Sequence, residues 1–355
     1  MYRLADILVL AALLGGCNRA RDERANDKGS PSAVPSTPAS ATPRSSAASV
    51  AKAASAPSAN ATVEPVPLSG NASDRPKLVG AVAFVATVKG EGPALYAASL
   101  AVIPLEAKRL AENGTDWSIG EPALDPTGKA VLFTHDHHEN SSAPPDEVWA
   151  VPTAGGAPHR IAQCTATCRS PHFLEDGRIL YVDHGVGLNS AVIRMVTATG
   201  KLSALYGGDP SISACFVGLD VDPFGKYVAV RVSNDLGWPE CKTDRSLAAS
   251  ASDLKLLTLP ASVPGRSGVQ AGSDGRVYFV GGTDESPIPS SIKIDGTGLR
   301  APEPLFDGKR FTRPGWYLEV VGTQIVAYPP VGDSRRPAVL FEADAIDALY
   351  QTPLR

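Results

Sequence analysis

Five consecutive residues, His135-Asp136-His137-His138-Glu139, place three of the chain's six histidines beside two carboxylates. Imidazoles and carboxylates in such a run bind Zn2+ or Ni2+. The run leaves a strand, where alternate side chains point to opposite sides, so His135 and His137 share one side and His138 faces away. A divalent metal held by His135 and His137 is the cofactor expectation; the competing reading is a solvated polar loop without the helical His-Glu-x-x-His spacing. Nucleophilic chemistry has less to draw on. The sequence contains no Gly-x-Ser-x-Gly elbow and no Gly-x-x-x-x-Gly-Lys-Ser/Thr phosphate loop. No catalytic residue is assigned. Asp125, Asp222 and Asp274 precede turn glycines, where a carboxylate accepts backbone hydrogen bonds rather than moving protons.

Cysteine usage points to an address. Met1-Tyr2-Arg3 precedes a short apolar run, Leu4 to Leu14, which ends in Gly15-Gly16-Cys17. A basic residue, an apolar stretch too short to span a bilayer and a small-residue cleavage site describe an export signal. Leu14-Gly15-Gly16-Cys17 resembles the lipobox of bacterial lipoproteins, which implies lipid attachment at Cys17 and a bilayer anchor. Asn18 after that cysteine is similar to the outer-membrane pattern of enteric bacteria. Residues 18–78 contain 14 Ala, 11 Ser and 8 Pro and no aromatic residue. Such a segment cannot bury enough apolar surface to offset its chain entropy, so it reads as a disordered tether. The domain expectation is a signal over residues 1–16, a lipidated tether over 17–78 and a folded domain over 79–355.

The elements that must position these groups are short and repeated. Asp125-Pro126-Thr127-Gly128 leads into Lys129-Ala130-Val131-Leu132-Phe133, and Glu175-Asp176-Gly177 into Arg178-Ile179-Leu180-Tyr181-Val182. The same unit returns at Asp222-Pro223-Phe224-Gly225 and Ser273-Asp274-Gly275, so the turn glycines stand 48 to 50 residues apart. One period back lies Gly80 and one forward Gly322, giving six units with degenerate outer copies. Second strands are expected at Glu147–Val151, Ala191–Val196, Leu254–Leu257, Ser291–Ile294 and Ala338–Phe341. Four short strands in about 45–50 residues are the arithmetic of a propeller blade. The expected fold is all-β, a six-bladed β-propeller, with residues 343–355 either a closing strand or a short helix.

Pro122 to Phe133, continuing through Val148-Trp149-Ala150-Val151 and Gly155-Gly156-Ala157-Pro158-His159-Arg160-Ile161, resembles the TolB-type, WD40-like propeller repeat. Ser170-Pro171-His172-Phe173 through Tyr181-Val182 is a second copy. The likeness covers roughly residues 79–342 and implies the fold. It transfers no role, because the α/β domain that precedes the propeller in TolB has no counterpart here.

With strands A to D counted outward from the axis, the A–B and C–D turns are tight and share one face. The B–C connections on the other face are long, about 135–147 in the second unit and 233–252 in the fourth. Loops on a rigid scaffold carry binding residues, so this is the expected working face, with Trp238 as its aromatic anchor candidate. Cys164, Cys168, Cys215 and Cys241 are even in number and in a domain expected to be exported. Bridges Cys164–Cys168 and Cys215–Cys241 are favoured, and a Cys-x3-Cys metal site lacks a second local pair. Phe133, Trp149 and Tyr181 lie on strands and read as inter-blade core. A net charge of -4 offers no basic face for nucleic acid. The expectation is a monomeric, non-enzymatic module of the cell envelope that presents its loop-rich face to an envelope protein or glycan. A metal-assisted hydrolase or lyase at the propeller mouth, and a merely structural propeller, are the other readings.

Overall fold

The computed structural model describes residues 78–137, 143–185, 191–206, 216–233, 245–260, 269–283, 286–303, 316–330 and 335–351. Every regular element among them is a strand. The first blade contains β1 (Ala81–Thr87), β2 (Ala94–Ser99) and β3 (Lys108–Glu112). The second has β4 (Trp117–Ile119) and β5 (Ala123–Leu124), two pieces of one inner strand, then β6 (Ala130–His137), β7 (Glu147–Pro152) and β8 (His159–Gln163). Blade three is β9 (Thr167–Phe173), β10 (Ile179–His184), β11 (Ala191–Val196) and β12 (Leu202–Tyr206). Blade four is β13 (Phe216–Val221), β14 (Tyr227–Ser233), β15 (Arg245–Ser250) and β16 (Leu257–Thr258). Blade five holds β17 (Gln270–Ala271), β18 (Arg276–Thr283) and β19 (Ser286–Lys293), and blade six β20 (Tyr317–Val321), β21 (Gln324–Tyr328) and β22 (Ala338–Glu342). The last strand, β23 (Ala345–Gln351), returns to pair antiparallel with β1 and becomes the inner strand of blade one. Residues 345–351 are therefore the closing strand.

The second strand of blades one to five carries an unbroken apolar run because both faces of its sheet are covered. Val131, Leu132 and Phe133 are all fully buried, as are Leu180, Tyr181 and Val182. Alternate residues go to different clusters. Phe133 joins Val85, Leu95 and Ala97 of blade one, whereas Leu132 joins Tyr181 of blade three. Equivalent clusters join blades three and four, four and five, and six and one. Each buried large side chain contributes roughly 1.5–3 kcal/mol, so the ring is held together by packing between sheets that share no hydrogen-bond ladder.

The A–B turns behave as the sequence predicts. Gly128, Gly177, Gly225 and Gly275 all have φ between 72 and 83°, the left-handed region that glycine occupies without strain. Asp125 accepts the N–H groups of Lys129 and Ala130 at 2.5 and 2.9 Å, and Asp222 those of Phe224, Lys226 and Tyr227 at 3.0, 2.6 and 2.7 Å. In blade five the buried guanidinium of Arg276 binds Ser291 Oγ at 2.8 Å and the carbonyl of Gly298 at 2.5 Å. It ties down the turn after β19, where the outer ladder is reduced to a single bridge, Ser291 to Arg300.

Two expectations are corrected. The third strand of blade four is Arg245–Ser250 rather than Leu254–Leu257, so the connection before it spans 234–244 and not 233–252. Ser246, Ala248 and Ala249 are small and leave Leu247 as its one large apolar residue, which hides the strand in the sequence, yet all four are buried against neighbours. The sixth unit is also out of phase. Ala343 N–H donates to Thr323 O and the next residue, Asp344, donates to Thr87 O, at the end of β1. Gly322 thus turns on the face of the B–C and D–A connections, not on the A–B face. That phase makes β20 a second strand, and it packs against β23 as β6 packs against β9.

Candidate functional site: the polar mouth between blades two and three

On the B–C and D–A face, the mouth of the channel is built by irregularities in two adjacent inner strands. The inner strand of blade two is interrupted at Gly120-Glu121-Pro122. That of blade three changes register against β10 between Leu180 and Val182, so Ser170 and Pro171 together face one residue. Ser170 has φ 49°, a conformation that costs a non-glycine residue roughly 1–3 kcal/mol and persists only where its surroundings enforce it. The enforcing group is Glu121, whose carboxylate accepts the Ser170 N–H. Burial pushes the Glu121 carboxyl up, and hydrogen bonds from Ser170 and the charge of Arg169 pull it back. Beside this contact Arg169, 43% exposed at its side chain, pairs with Asp136 of β6 at 3.3 Å.

The connection between β8 and β9 is fixed at several points. Cys164 and Cys168 form a disulfide, as expected, and both are buried. Asp146 accepts the N–H of His137 at 2.8 Å and of Cys168 at 3.4 Å, and burial raises its pKa. Asp183 accepts the Thr165 N–H at 2.7 Å and pairs with Arg194 at 3.0 Å. Below the mouth, His172 of blade three stacks obliquely on Tyr350 of blade one, with ring centroids 6.1 Å apart. Two non-neighbouring inner strands approach each other there.

The histidine pair finds different surroundings from those the spacing suggests. His135 lies between Trp117 and Trp149, stacked at 3.7 and 4.6 Å. Its Nδ1 is 3.9 Å from Glu147. Desolvation lowers its pKa to about 4 against the pull of Glu147, so the ring is neutral near pH 7. Burial would raise Glu147, but hydrogen bonds from Arg160 and from the Trp149 indole hold it below the usual carboxylate range. His135 is thus packed as the middle ring of a three-ring stack. His137 lies two residues further along β6. Among the described residues, no group of three or more His, Cys, Asp or Glu gathers in a geometry that would hold a metal ion. Phe133 and Tyr181 are buried between blades as expected, and Trp149 is half-buried. Cys17, His138, Glu139, Cys215, Trp238 and Cys241 lie outside the described residues.

Glu121, Arg169 and Ser170 escaped sequence reasoning. A usable signal existed: Glu121 and Ser170 are 49 residues apart, and Asp220, which accepts the Ala271 N–H at 2.7 Å, is 51 residues from its partner. One repeat of separation places two residues side by side on adjacent inner strands.

No protein-family model and no curated protein matches this chain. Solved structures do. TolB from Acinetobacter baumannii superposes with a TM-score of 0.52 at 14% identity, covering 77% of this chain and 67% of that one. A prolyl endopeptidase gives 0.48 at 15% identity over 75% of this chain and 39% of that one. The nidogen/laminin complex gives 0.46 at 12% identity over 77% and 99%. The domain is a six-bladed β-propeller, similar in fold to that of TolB. At such identities the likeness shows the fold, and the site has to speak for the chemistry.

Proposed function

We propose that the protein is an exported lipoprotein, anchored through Cys17, whose propeller binds an envelope protein or glycan at the face of the B–C and D–A connections. The observation that carries the reading is the fixed mouth between blades two and three. A disulfide, the carboxylates of Asp146 and Asp183, and the Glu121–Ser170 contact hold that connection in one geometry. Rigid, pre-set polar surfaces lose little entropy on binding and so favour recognition. The half-exposed Arg169, paired with Asp136 at 3.3 Å, supplies its charge. No chemical step is assigned to these groups; each orients another group or the backbone.

The test is in-cell photocrosslinking of the full chain. A photoreactive residue replaces Gln163, exposed beside the disulfide, or Lys255, exposed on the opposite face. A discrete protein or glycan adduct from position 163 and none from 255 is expected. Equal labelling from both positions, or none from either, would refute the binding face. Replacing Cys17 with Ser is expected to move the chain from the membrane fraction to the soluble fraction, and retention in the membrane would refute the anchor.

A further inference from the structure

The face of the A–B and C–D turns carries most of the exposed apolar side chains. Among the described residues seven large aliphatic side chains are exposed, and five of them, Val79, Val102, Leu202, Leu257 and Leu299, lie at this end of the ring. Leu202 opens β12 and Leu257 opens β16, each just after a C–D turn. Leu299 closes the same turn in blade five, and Val102 lies in that of blade one, between β2 and β3. Scattered exposed aliphatics are ordinary, but here they recur at one place in the repeat.

Cations accompany them. Lys201 adjoins Leu202, Lys255 stands two residues before Leu257, Arg300 follows Leu299, and Arg335 and Arg336 occupy the corresponding turn of blade six. With Lys293, the C–D turns and the residues flanking them hold six exposed Lys and Arg against three exposed carboxylates, Glu106, Asp253 and Asp295. At the seam of blades six and one the two kinds of group meet. Trp316 packs half-buried on the cluster of Leu78, Leu100 and Leu105, and the Arg335 guanidinium lies over its ring, 4.9 Å from the centroid. Val79 and Val102 flank that cluster and are 60% and 44% exposed. A half-buried indole, exposed aliphatics and long basic side chains that keep their heads in water are the residues of a water–lipid interface.

The same seam is where the chain enters the ring. Leu78 leads into the A–B end of β1, and the Leu100 N–H donates to Gly80 O at 3.0 Å, which joins the entry to the C–D turn of blade one. The residues before Leu78 lead back to Cys17. The C–D turns of a propeller end at one level around its rim. Apolar groups spaced around that rim make no central cluster of the kind a protein partner uses, whereas a planar surface meets all of them at once. Peripheral attachment to a bilayer combines buried apolar area with attraction to anionic lipids, and this rim offers both. We propose that the A–B and C–D face docks on an anionic phospholipid bilayer and so directs the B–C and D–A face away from it. The inference rests on the Cys17 anchor of the proposed function and goes beyond it, since an anchor alone leaves the ring free to turn.

The test is photocrosslinking of the full chain, purified with its lipid and reconstituted into vesicles of phosphatidylcholine containing a quarter phosphatidylglycerol. A photoreactive residue replaces Val102, Leu257 or, on the opposite face, Val321, which is 44% exposed. Phospholipid adducts at least tenfold more abundant from positions 102 and 257 than from 321 are expected. One cation near an anionic surface strengthens attraction about fivefold. The Arg335→Gln/Arg336→Gln variant is therefore expected to keep its melting temperature and to lose at least fivefold of the adduct at position 102. Vesicles of phosphatidylcholine alone should lower the adducts at 102 and 257 by at least as much. Equal labelling at all three positions, no lipid adduct from 102 or 257, or labelling indifferent to both changes of charge would each overturn the proposal. Flotation of the vesicles separates the two readings. A chain that floats but labels equally at the three positions keeps its anchor and loses the docking face; a chain that does not float loses the anchor, and the docking face with it.

Discussion

Acid should weaken this propeller by an amount the two buried imidazoles set. In the folded protein His135 and His172 are both held down at about 4, chiefly by desolvation. Unfolding returns each to roughly 6.5. Between those values the unfolded chain binds more protons than the folded one, so stability falls as pH drops from about 6.5 toward 4, and neither ring contributes above that window. At about 1.4 kcal/mol for each pH interval of one over which a full proton separates the two states, moving from pH 7.5 to 5 removes about 2 kcal/mol per ring. Glu121, Asp146 and Asp222, raised by burial, act in the opposite sense at the acid end of this range. Comparing variants at the same two pH values cancels their contribution. The perturbation is His135→Phe, which keeps an aromatic ring between Trp117 and Trp149 and cannot titrate. Urea unfolding followed by circular dichroism at pH 7.5 and 5 is expected to show the loss of stability reduced by about 2 kcal/mol relative to wild type. His172→Phe should behave alike, and the double variant should add, since the rings lie in different blades and pack on different partners, Trp117 and Trp149 for one and Tyr350 for the other. An identical pH loss in wild type and both variants would refute the reasoning, because it would mean that neither ring is kept neutral by the fold.

Three further outcomes follow from the turns and the staple. Asp222→Ala removes a buried carboxylate that accepts three part-buried backbone N–H groups and should cost about 3 kcal/mol, against about 1 kcal/mol for the more exposed Asp125→Ala, both read by chemical denaturation. Equal costs would mean that burial of the turn is immaterial. Gly225→Ala should be far worse than Gly177→Ala: at Gly225 the new methyl meets the backbone of Leu174 and Glu175, 2.7 Å from the Leu174 carbonyl carbon, whereas at Gly177 it meets nothing. Both pay roughly 1 kcal/mol for left-handed φ, so the difference in melting temperature isolates the inter-blade collision. Replacing Cys164 and Cys168 together by Ala opens a five-residue loop and should cost about 2 kcal/mol in thermal or urea unfolding. An unchanged stability would show that the hydrogen bonds to Asp146 and Asp183 suffice to hold that connection.

What the sequence disclosed depended on how strongly each element's physics is written into local residue types. Val131-Leu132-Phe133 and Val228-Ala229-Val230 announce second strands because both faces of those strands are buried, and the positive-φ glycines announce the turns before them. β15 was hidden because Ser246, Ala248 and Ala249 are too small to signal a strand around the single Leu247. Gly322 misled for a different cause: a tight glycine turn has the same chemistry on either face of the ring, and only the direction of the chain tells them apart. The mouth was the least legible part. Ser170 reads as an ordinary strand residue, and its strain exists because Glu121, in another blade, holds its N–H. Likewise the loop reading of His135 could not foresee the two indoles that enclose it, because Trp117 and Trp149 reach it across separate strands.

The pairing of β23 with β1 has a consequence for the order of events during synthesis. Until residues 345–351 have emerged, a chain that already holds blades two to five still carries an open inner edge on β1, over two hundred residues upstream. That edge belongs to Val82-Ala83-Phe84-Val85, an apolar stretch with free backbone donors and acceptors, the kind of template on which chains mispair. Pairing across so long a separation is slow compared with the hairpins inside each blade. A nascent or truncated chain ending at Glu342 would therefore be a client for chaperones, and completion of the final strand is the step that converts it into a closed ring.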